Sequence, residues 1–241
     1  MMRAVSWPAK YAVPLGLLAG LAPGAACGDG IVVDRVYDPY VQPLETEIEW
    51  RSIVQFDDDA EDLQRHMLGI GHALSERWAA ELYIAGAKAS GESIGIDAFE
   101  LEFKWQLTEQ GEYAFDWGLA FELEHETDRR IYEGSVALLA ARDLGPWTAL
   151  VNAGVSYEWG SGVDNEIETE LHVQTRYRLR ESLEPAIELH LGQDTAVLGP
   201  ALTGVHRTAP GRKLRWEAGA FFAVASNSPD LVLKLNLEYE F

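Results

Sequence analysis

Two histidines and two glutamates are the residues whose types and spacing best support chemistry. His172 and His190 flank the turn-forming segment "RESL" (180–183), and Glu170 and Glu188 each precede one of them by two residues. In an antiparallel strand pair that places His172 opposite His190, all four side chains lie on one face of the sheet. Such a group can bind zinc or copper, or it can titrate as a pH-sensing pair. Two histidines that bond only to each other remain the alternative, so we assign no catalytic residue, no cofactor and no secure metal site.

The segments that carry these residues alternate apolar and polar side chains. In "FELEFKWQL" (99–107), the Phe, Leu and Trp residues occupy one face, and the Glu, Lys and Gln residues occupy the other. This period, repeated between turn-forming stretches, predicts β-strands and no helix. The twelve predicted strands are 46–56, 64–73, 78–87, 99–107, 115–123, 131–141, 147–159, 167–179, 183–191, 197–207, 213–224 and 231–241.

Polar turns separate these strands, which predicts an antiparallel up-and-down meander in which sequence neighbours pair. Around the turn "TEQGE", the register that best matches side chains places Trp105 opposite Phe115. Around "SNSPD", the corresponding register places Trp216 opposite Tyr239.

Aromatic side chains concentrate at the ends of the predicted strands, and smaller apolar residues fill the middles. Two aromatic girdles are typical of a transmembrane β-barrel, whose apolar face contacts lipid and whose polar face lines the lumen. A secreted soluble sandwich or barrel with its apolar face inside is the alternative. The first predicted girdle is Trp78, Trp105, Trp147, Tyr177, Trp216 and Tyr239, and the second is Phe56, Phe99, Phe121, Trp159 and Phe222.

The first residues have the layout of a secretory signal. Arg3 and Lys10 precede the apolar run "YAVPLGLLAGLA", and the small residues of "PGAAC" follow it. This pattern predicts a signal peptide at residues 1–26 and therefore export. Lipidation of Cys27 as the first residue of the mature chain is an alternative to ordinary cleavage without lipidation.

The rest of the chain divides into an extended N-terminal arm at residues 27–45 and the barrel at residues 46–241. Loss of Arg3 and Lys10 with the signal peptide changes the formal net charge from −20 to −22, which argues against nucleic-acid binding. An even number of strands places both termini on the same side, which we predict to be the periplasmic side of the outer membrane.

The last residues resemble a known bacterial signal. "LNLEYEF" is similar to the C-terminal assembly signal of outer-membrane proteins, with Tyr239 and Phe241 at the matching positions. The resemblance implies recognition by the barrel-insertion machinery. More broadly, "YVQPLETEIEWRS", "WQLTEQGEYAFDWG" and "SPDLVLKLNLEYEF" resemble an uncharacterised family of small proteobacterial outer-membrane β-barrels, for which no activity is implied.

The predicted lumen is charged and net acidic. One interpretation is a narrow porin-like conduit for small cations or polar solutes, and the other is a salt-bridged, non-conducting structural or interaction barrel. The main lumen candidates are Glu100, Glu102, Lys104, Asp116, Glu168, Glu170, Arg176, Arg178, Glu217 and Glu238.

A lipid-modifying enzyme is a third, weaker hypothesis. Some twelve-stranded outer-membrane barrels are phospholipases whose Ser and His residues face the lipid. His125 is the best-placed outward histidine, whereas Ser135, the nearest barrel serine, is predicted to point inward. The chain has no Gly-x-Ser-x-Gly motif. The oligomeric state is not predicted.

Overall fold

The chain forms a closed barrel of twelve antiparallel strands, as the alternation predicts. The computed structural model describes residues 31–57, 62–89, 95–127 and 130–241, so the predicted signal peptide and Cys27 lie outside the described residues. The strands are β1 (Thr46–Phe56), β2 (Leu63–Ala73), β3 (Trp78–Ala89), β4 (Ala98–Gln106), β5 (Asp116–Glu126), β6 (Ile131–Leu144), β7 (Trp147–Gly160), β8 (Glu166–Tyr177), β9 (Glu184–Leu191), β10 (Ala196–Ala209), β11 (Arg212–Ala223) and β12 (Leu231–Glu240).

Each strand pairs with its neighbours in sequence, and β12 pairs with β1 to close the ring. At the closing seam, Thr46 N–H donates to the Phe241 carbonyl at 3.1 Å, and Phe241 N–H donates to the Thr46 carbonyl at 2.8 Å. The closed ring therefore has no free sheet edge. Tyr239 and Phe241 lie at this seam, and their recognition by the insertion machinery stays a prediction. Among the described residues, no helix is long and apolar enough to cross a bilayer.

The apolar face of the strands points outward, and the charged face points into the lumen. Ile187 and Leu68 are 61% and 57% exposed, whereas Glu49 and Arg51 are each 1% exposed. A soluble barrel would have the opposite arrangement, because water would drive the apolar residues inside. The outer surface is that of a lipid-facing barrel.

The two ends of the barrel differ. The terminus-side end carries the start of β1 and the end of β12, and it includes two-residue turns at 145–146 and 210–211. In these turns Gly145 and Gly211 have φ values of 64° and 72°, a conformation that other residues rarely adopt. The opposite end, which we call the far end, carries the connections from β1 to β2, β3 to β4, β5 to β6, β7 to β8, β9 to β10 and β11 to β12.

Two of the predicted registers are wrong. Trp105 faces Leu119 instead of Phe115, because residues 107–115 form a longer connection than "TEQGE" alone. Trp216 faces Leu237 instead of Tyr239. Both shifts are by an even number of residues, so every side chain keeps its predicted face.

The aromatic residues form two belts, with one correction. At the terminus-side end, the rings of Trp78 and Trp105 stack with centroids 5.0 Å apart. At the far end, the rings of Tyr132 and Trp159 stack at 5.8 Å. Phe121 was predicted to join the far-end girdle, but its ring stacks on Trp78 and belongs to the terminus-side belt. The shifted register of β5 against β4 explains this difference.

Gly199 on the lumen face of β10 provides a test of lumen packing, and Gly134 on the outer face of β6 is its control. A methyl group added at Gly199 would clash with the backbone carbonyl of Ala220 on β11. A backbone carbonyl cannot avoid the clash by a change of rotamer, as a side chain could. A methyl group at Gly134 would lie 3.5 Å from the Trp159 ring, an ordinary contact. We expect Gly199→Ala to lower the free energy of unfolding in detergent by about 1–3 kcal/mol. Gly134→Ala, the control, should leave it nearly unchanged, and equal effects of the two substitutions would contradict this packing.

Candidate functional site

Residues 31–41 of the N-terminal arm lie inside the barrel and run along its length, and the exposed residues 42–44 lead out of it toward β1. Near the far end, Val32 packs against Gly192 in the connection from β9 to β10. Near the terminus-side end, the Tyr40 hydroxyl donates a hydrogen bond to Asp116 at 2.7 Å. From there the chain enters β1 at Thr46. The arm therefore passes through the lumen between the two ends.

Arg35 and Tyr37 anchor the middle of the arm to different strands of the wall. Arg35 donates to Glu49 on β1 at 2.8 Å and to Glu238 on β12 at 2.6 Å. The Tyr37 hydroxyl donates to Glu102 on β4 at 2.9 Å. Charge-assisted hydrogen bonds of this kind are about twice as strong as neutral ones.

The arm backbone is also recognised by lumen side chains. Asn152 on β7 accepts from the Tyr37 N–H at 2.7 Å and donates to the Tyr37 carbonyl at 2.9 Å. Gln106 accepts from the Val41 N–H at 2.8 Å. A buried extended segment needs such partners, because its backbone groups have no sheet neighbour.

Apolar residues of the arm fill gaps between the charged groups. Val33 is buried in a cluster that includes Ile53 and Phe221. Val36 packs with Ala141 and Leu150. The lumen is therefore a packed interior over much of its length, in which the arm supplies part of the core.

Arg51 on β1 is the centre of the largest charge network in the lumen. Its side chain is 2% exposed and donates to Glu102 at 2.9 Å and to Glu49 at 3.2 Å. It also donates to the Tyr83 hydroxyl at 2.7 Å. A buried guanidinium with this many acceptors is stabilising only while its partners are present.

Lys234 on β12 organises a second network. Its ammonium lies 2.6 Å from both Glu188 on β9 and Glu217 on β11, and none of its side chain is exposed. Gln174 on β8 donates to the same two carboxylates at 2.9 and 3.1 Å. Lys234 also donates to the Asp34 carbonyl at 3.2 Å, which joins this network to the arm.

A cavity of about 240 Å³ lies beside the arm toward the far end. We call it the acidic vestibule, because most of its charged lining residues are carboxylates. A smaller cavity of about 70 Å³ lies toward the terminus-side end, and Arg35 lines both cavities. The carboxylates of the vestibule are Asp34, Glu100, Glu102, Glu122, Glu124, Glu133, Glu168, Glu170 and Asp194.

The predicted lumen residues are placed as follows. Glu100, Glu102, Asp116 and Glu238 are buried, while Lys104, Arg176 and Glu217 are half-buried. Glu168 and Glu170 border the acidic vestibule. The prediction for Arg178 is wrong: it lies beyond the end of β8, is exposed, and donates to Asp143 at 3.1 Å.

The predicted histidine pair is formed. His172 faces His190 in the β8–β9 register, as predicted, and their Nδ1 atoms lie 3.0 Å apart. Glu170 contacts the Nε2 atom of His172 at 2.9 Å, and Glu188 contacts the Nε2 atom of His190 at 3.0 Å. All four residues that the sequence grouped together are therefore in contact through one chain of hydrogen bonds.

A second group of ligating atoms belongs to the vestibule. One carboxylate oxygen from each of Glu100, Glu122 and Glu124 lies within 4.8 Å of the others. Arg65 pairs with Glu124 and lies 3.5 Å from Glu100, so a guanidinium already offsets part of this charge.

The residues considered for lipid chemistry do not meet. His125 faces outward, where its ring stacks on Tyr132 at 4.3 Å. Ser135 pairs with Glu122 on the lumen-facing side of β6. The two side chains lie on opposite faces of the sheet, so they do not form a nucleophile and base pair.

Sequence reasoning missed the arm residues Arg35, Tyr37 and Tyr40 as parts of the lumen. The arm shows no strand period, so its side chains carry no face assignment. One signal was present: "IVVDRVYDPYV" places valines beside Arg35 and two tyrosines, a composition suited to a half-charged interior.

The solved structures that resemble this chain are bacterial outer-membrane barrels. An outer-membrane channel from Pseudomonas putida F1 matches over 86% of this chain and 98% of its own, with a TM-score of 0.60 and 13% identity. The β domain of the Bordetella autotransporter BrkA matches over 82% and 99%, with a TM-score of 0.55 and 13% identity. The KdgM porin in complex with disordered oligogalacturonate matches over 81% and 98%, with a TM-score of 0.51 and 12% identity.

These likenesses show that the chain has the fold of outer-membrane β-barrels. No protein-family model matches the chain, and no curated protein matches it in sequence. The resemblance to one family of small proteobacterial barrels therefore rests on the sequence motifs alone.

The Arg51 network gives a stability prediction. Arg51→Met removes the buried cation, leaves Glu102 without a salt-bridge partner in the described residues and leaves Glu49 with Arg35 alone, so we expect the free energy of unfolding to fall by about 3–5 kcal/mol. Arg77→Met, at an exposed turn where Arg77 pairs with Glu109, is the control, with an expected change of about 0–1 kcal/mol. Denaturant unfolding of the protein in detergent measures both. A cost for Arg51→Met no larger than that of the control would contradict the network.

Proposed function

We propose that the protein is a narrow outer-membrane conduit for small cations, and that residues 31–41 restrict it as an internal plug. The observation that carries the proposal is the acidic vestibule beside an arm that is held by the lumen wall. The general class, a porin-like barrel, is supported by the channel and the porin among the structures of similar fold.

The electrostatics of the vestibule favour cations. Glu122, Glu133 and Glu168 border it and form no salt bridge with any residue in the described ranges. Their charges attract cations and repel anions within about one Debye length, roughly 8 Å at physiological ionic strength. Rings of carboxylates select cations in other channels by the same effect.

In this proposal the arm restricts the passage of cations between the two cavities of the lumen. Arg35 separates the vestibule from the smaller terminus-side cavity, because it contacts both spaces while paired with Glu49 and Glu238. A cation that passes from one cavity to the other must displace Arg35 or move beside it. Loss of the Arg35 and Tyr37 anchors should therefore widen the path.

The location and partners belong to the same proposal. We place the barrel in the outer membrane, with its apolar surface in lipid, its termini in the periplasm and the vestibule open to the outside. In the same proposal, residues 1–26 act as the signal peptide for export, and Tyr239 and Phe241 are recognised by the barrel-insertion machinery during assembly.

Conductance in planar bilayers tests the role of the plug. We expect the wild type to give small, infrequent current steps, and Arg35→Ala/Tyr37→Ala to give steps several-fold larger or more frequent, since two anchors of the arm are lost. The matched control is Arg207→Ala/Tyr113→Ala, which removes an exposed arginine near the end of β10 and an exposed tyrosine from the connection between β4 and β5. Each protein is first checked for folding by heat-modifiable migration on a gel.

Folded wild type and folded Arg35→Ala/Tyr37→Ala that both give no current would contradict the conduit. That outcome would favour the second candidate, a non-conducting structural or interaction barrel, which the packing of Val33 and Val36 inside the lumen also supports.

Ion selectivity tests the role of the carboxylates. In a potassium chloride gradient across the bilayer, we expect the reversal potential of the Arg35→Ala/Tyr37→Ala variant to lie on the cation-selective side. Adding Glu122→Gln and Glu168→Gln should move it toward zero, because two vestibule charges are lost. Adding Glu109→Gln, at an exposed turn, is the control and should not move it. Anion selectivity before these additions would contradict the proposal.

A further inference from the structure

The hydrogen bonds around His172 and His190 require a positive charge between the two rings. Each Nε2 atom contacts a carboxylate oxygen, Glu170 Oε2 at 2.9 Å and Glu188 Oε2 at 3.0 Å. Glu188 also accepts from Lys234 at 2.6 Å and from Gln174 at 2.9 Å, so it acts as an ionised acceptor. An ionised carboxylate only accepts hydrogen bonds, so each Nε2 atom must carry the proton that it donates.

The Nδ1 atoms then face each other without a donor. In a neutral imidazole one ring nitrogen is protonated and the other carries a lone pair. With both Nε2 atoms protonated, both Nδ1 atoms of the neutral rings present lone pairs, and these atoms are only 3.0 Å apart. Two lone pairs at this distance repel each other. The arrangement is relieved only by a cation shared between His172 and His190, either an additional proton or a metal ion.

The geometry matches that of a metal-binding histidine pair. Imidazole nitrogen binds zinc at about 2.0–2.1 Å, so two nitrogens on neighbouring coordination positions lie roughly 2.9–3.4 Å apart. Histidines that bind metals usually donate their other ring nitrogen to a carboxylate, which fixes the tautomer and the ring orientation. Here both rings have such a carboxylate. In addition, the edge of His190 packs on the Phe221 ring at 4.9 Å, which limits its rotation.

The surroundings suit a divalent ion. His190 is fully buried and His172 is 3% exposed, while His172, Glu170 and Asp34 line the acidic vestibule. The cavity can supply water molecules as further ligands. Lys234 is the nearest cation in the network, but its charge is already shared between Glu188 and Glu217. Gly154 on β7 leaves the space that the Glu170 side chain occupies beside His172.

We propose that His172 and His190 bind one divalent transition-metal ion through their Nδ1 atoms at the wall of the vestibule. Imidazole nitrogen with water as the remaining ligands favours Cu²⁺, Ni²⁺ and Zn²⁺, and Cu²⁺ binds most tightly in this series. Mg²⁺ and Ca²⁺, which prefer oxygen ligands, do not compete at this site. The site does not depend on conduction, so the barrel binds the metal whether or not ions pass through it.

The test uses Cu²⁺ added to the folded full-length mature protein in detergent. We expect one Cu²⁺ per chain, with an electron paramagnetic resonance spectrum that shows hyperfine coupling from two imidazole nitrogens. Binding should persist in the presence of excess Mg²⁺. A spectrum with one nitrogen or none, or no stoichiometric binding, would overturn the proposal and would leave the shared proton as the cation between the rings.

Substitutions assign the signal to the two residues. His172→Gln and His190→Gln should each remove the two-nitrogen spectrum, whereas His66→Gln should retain it, because His66 lies on the outer face against Trp50. Glu170→Gln should weaken Cu²⁺ binding by about 10- to 100-fold, because it weakens the orientation of His172. A two-nitrogen spectrum that survives His172→Gln or disappears in His66→Gln would overturn the assignment. The wild-type spectrum can overturn the proposal without any variant, so the test remains conclusive even if a substituted protein fails to fold.

Discussion

Closure of the strand ring is the constraint on which the rest of this structure depends. In a bilayer no water forms hydrogen bonds with the backbone N–H and C=O groups, so the first and last strands of a membrane-spanning sheet must pair with each other. The pairing of β1 with β12 meets this requirement, and the bonds between Thr46 and Phe241 complete it at the terminus-side end. A closed twelve-stranded ring encloses a lumen of intermediate width, which must then be filled by side chains, water or another segment.

The lumen of this barrel is filled mainly by charge, and the charges determine where the arm lies. Carboxylates outnumber cations on the inner face, so Arg35 of the arm meets Glu49 and Glu238 at positions where an unpaired acid would be costly. The same logic explains Arg51 and Lys234, each of which is buried among several acceptors. In sequence the arm is a segment that precedes the first strand, but in space its Val33 and Val36 side chains belong to the core, so the arm contributes to the stability of the barrel.

The excess acid is concentrated where the arm leaves room. Around the vestibule, Glu122, Glu133 and Glu168 face open space, whereas the carboxylates in the middle of the lumen face arginine, lysine or tyrosine. The histidine pair lies at the boundary between these regions, with His190 packed in the interior and His172 at the cavity wall. The described lumen therefore has a centre whose charges are paired and a vestibule in which carboxylates are in excess.

The sequence by itself determined the number of strands and their faces, because an alternating pattern has a period of two and shifts by even numbers preserve it. It also indicated the pairing of His172 with His190, because the short turn "RESL" separates their strands. The exact registers at Trp105 and Trp216 were not determined, since turn length and ion pairs such as Arg215 with Glu238 and Glu240 choose among registers of equal parity. Only the tertiary structure placed residues 31–41 inside the barrel. Arg35 and Tyr37 bond to side chains on strands that are distant in sequence, and the pattern of apolar and polar residues in the arm does not indicate such contacts.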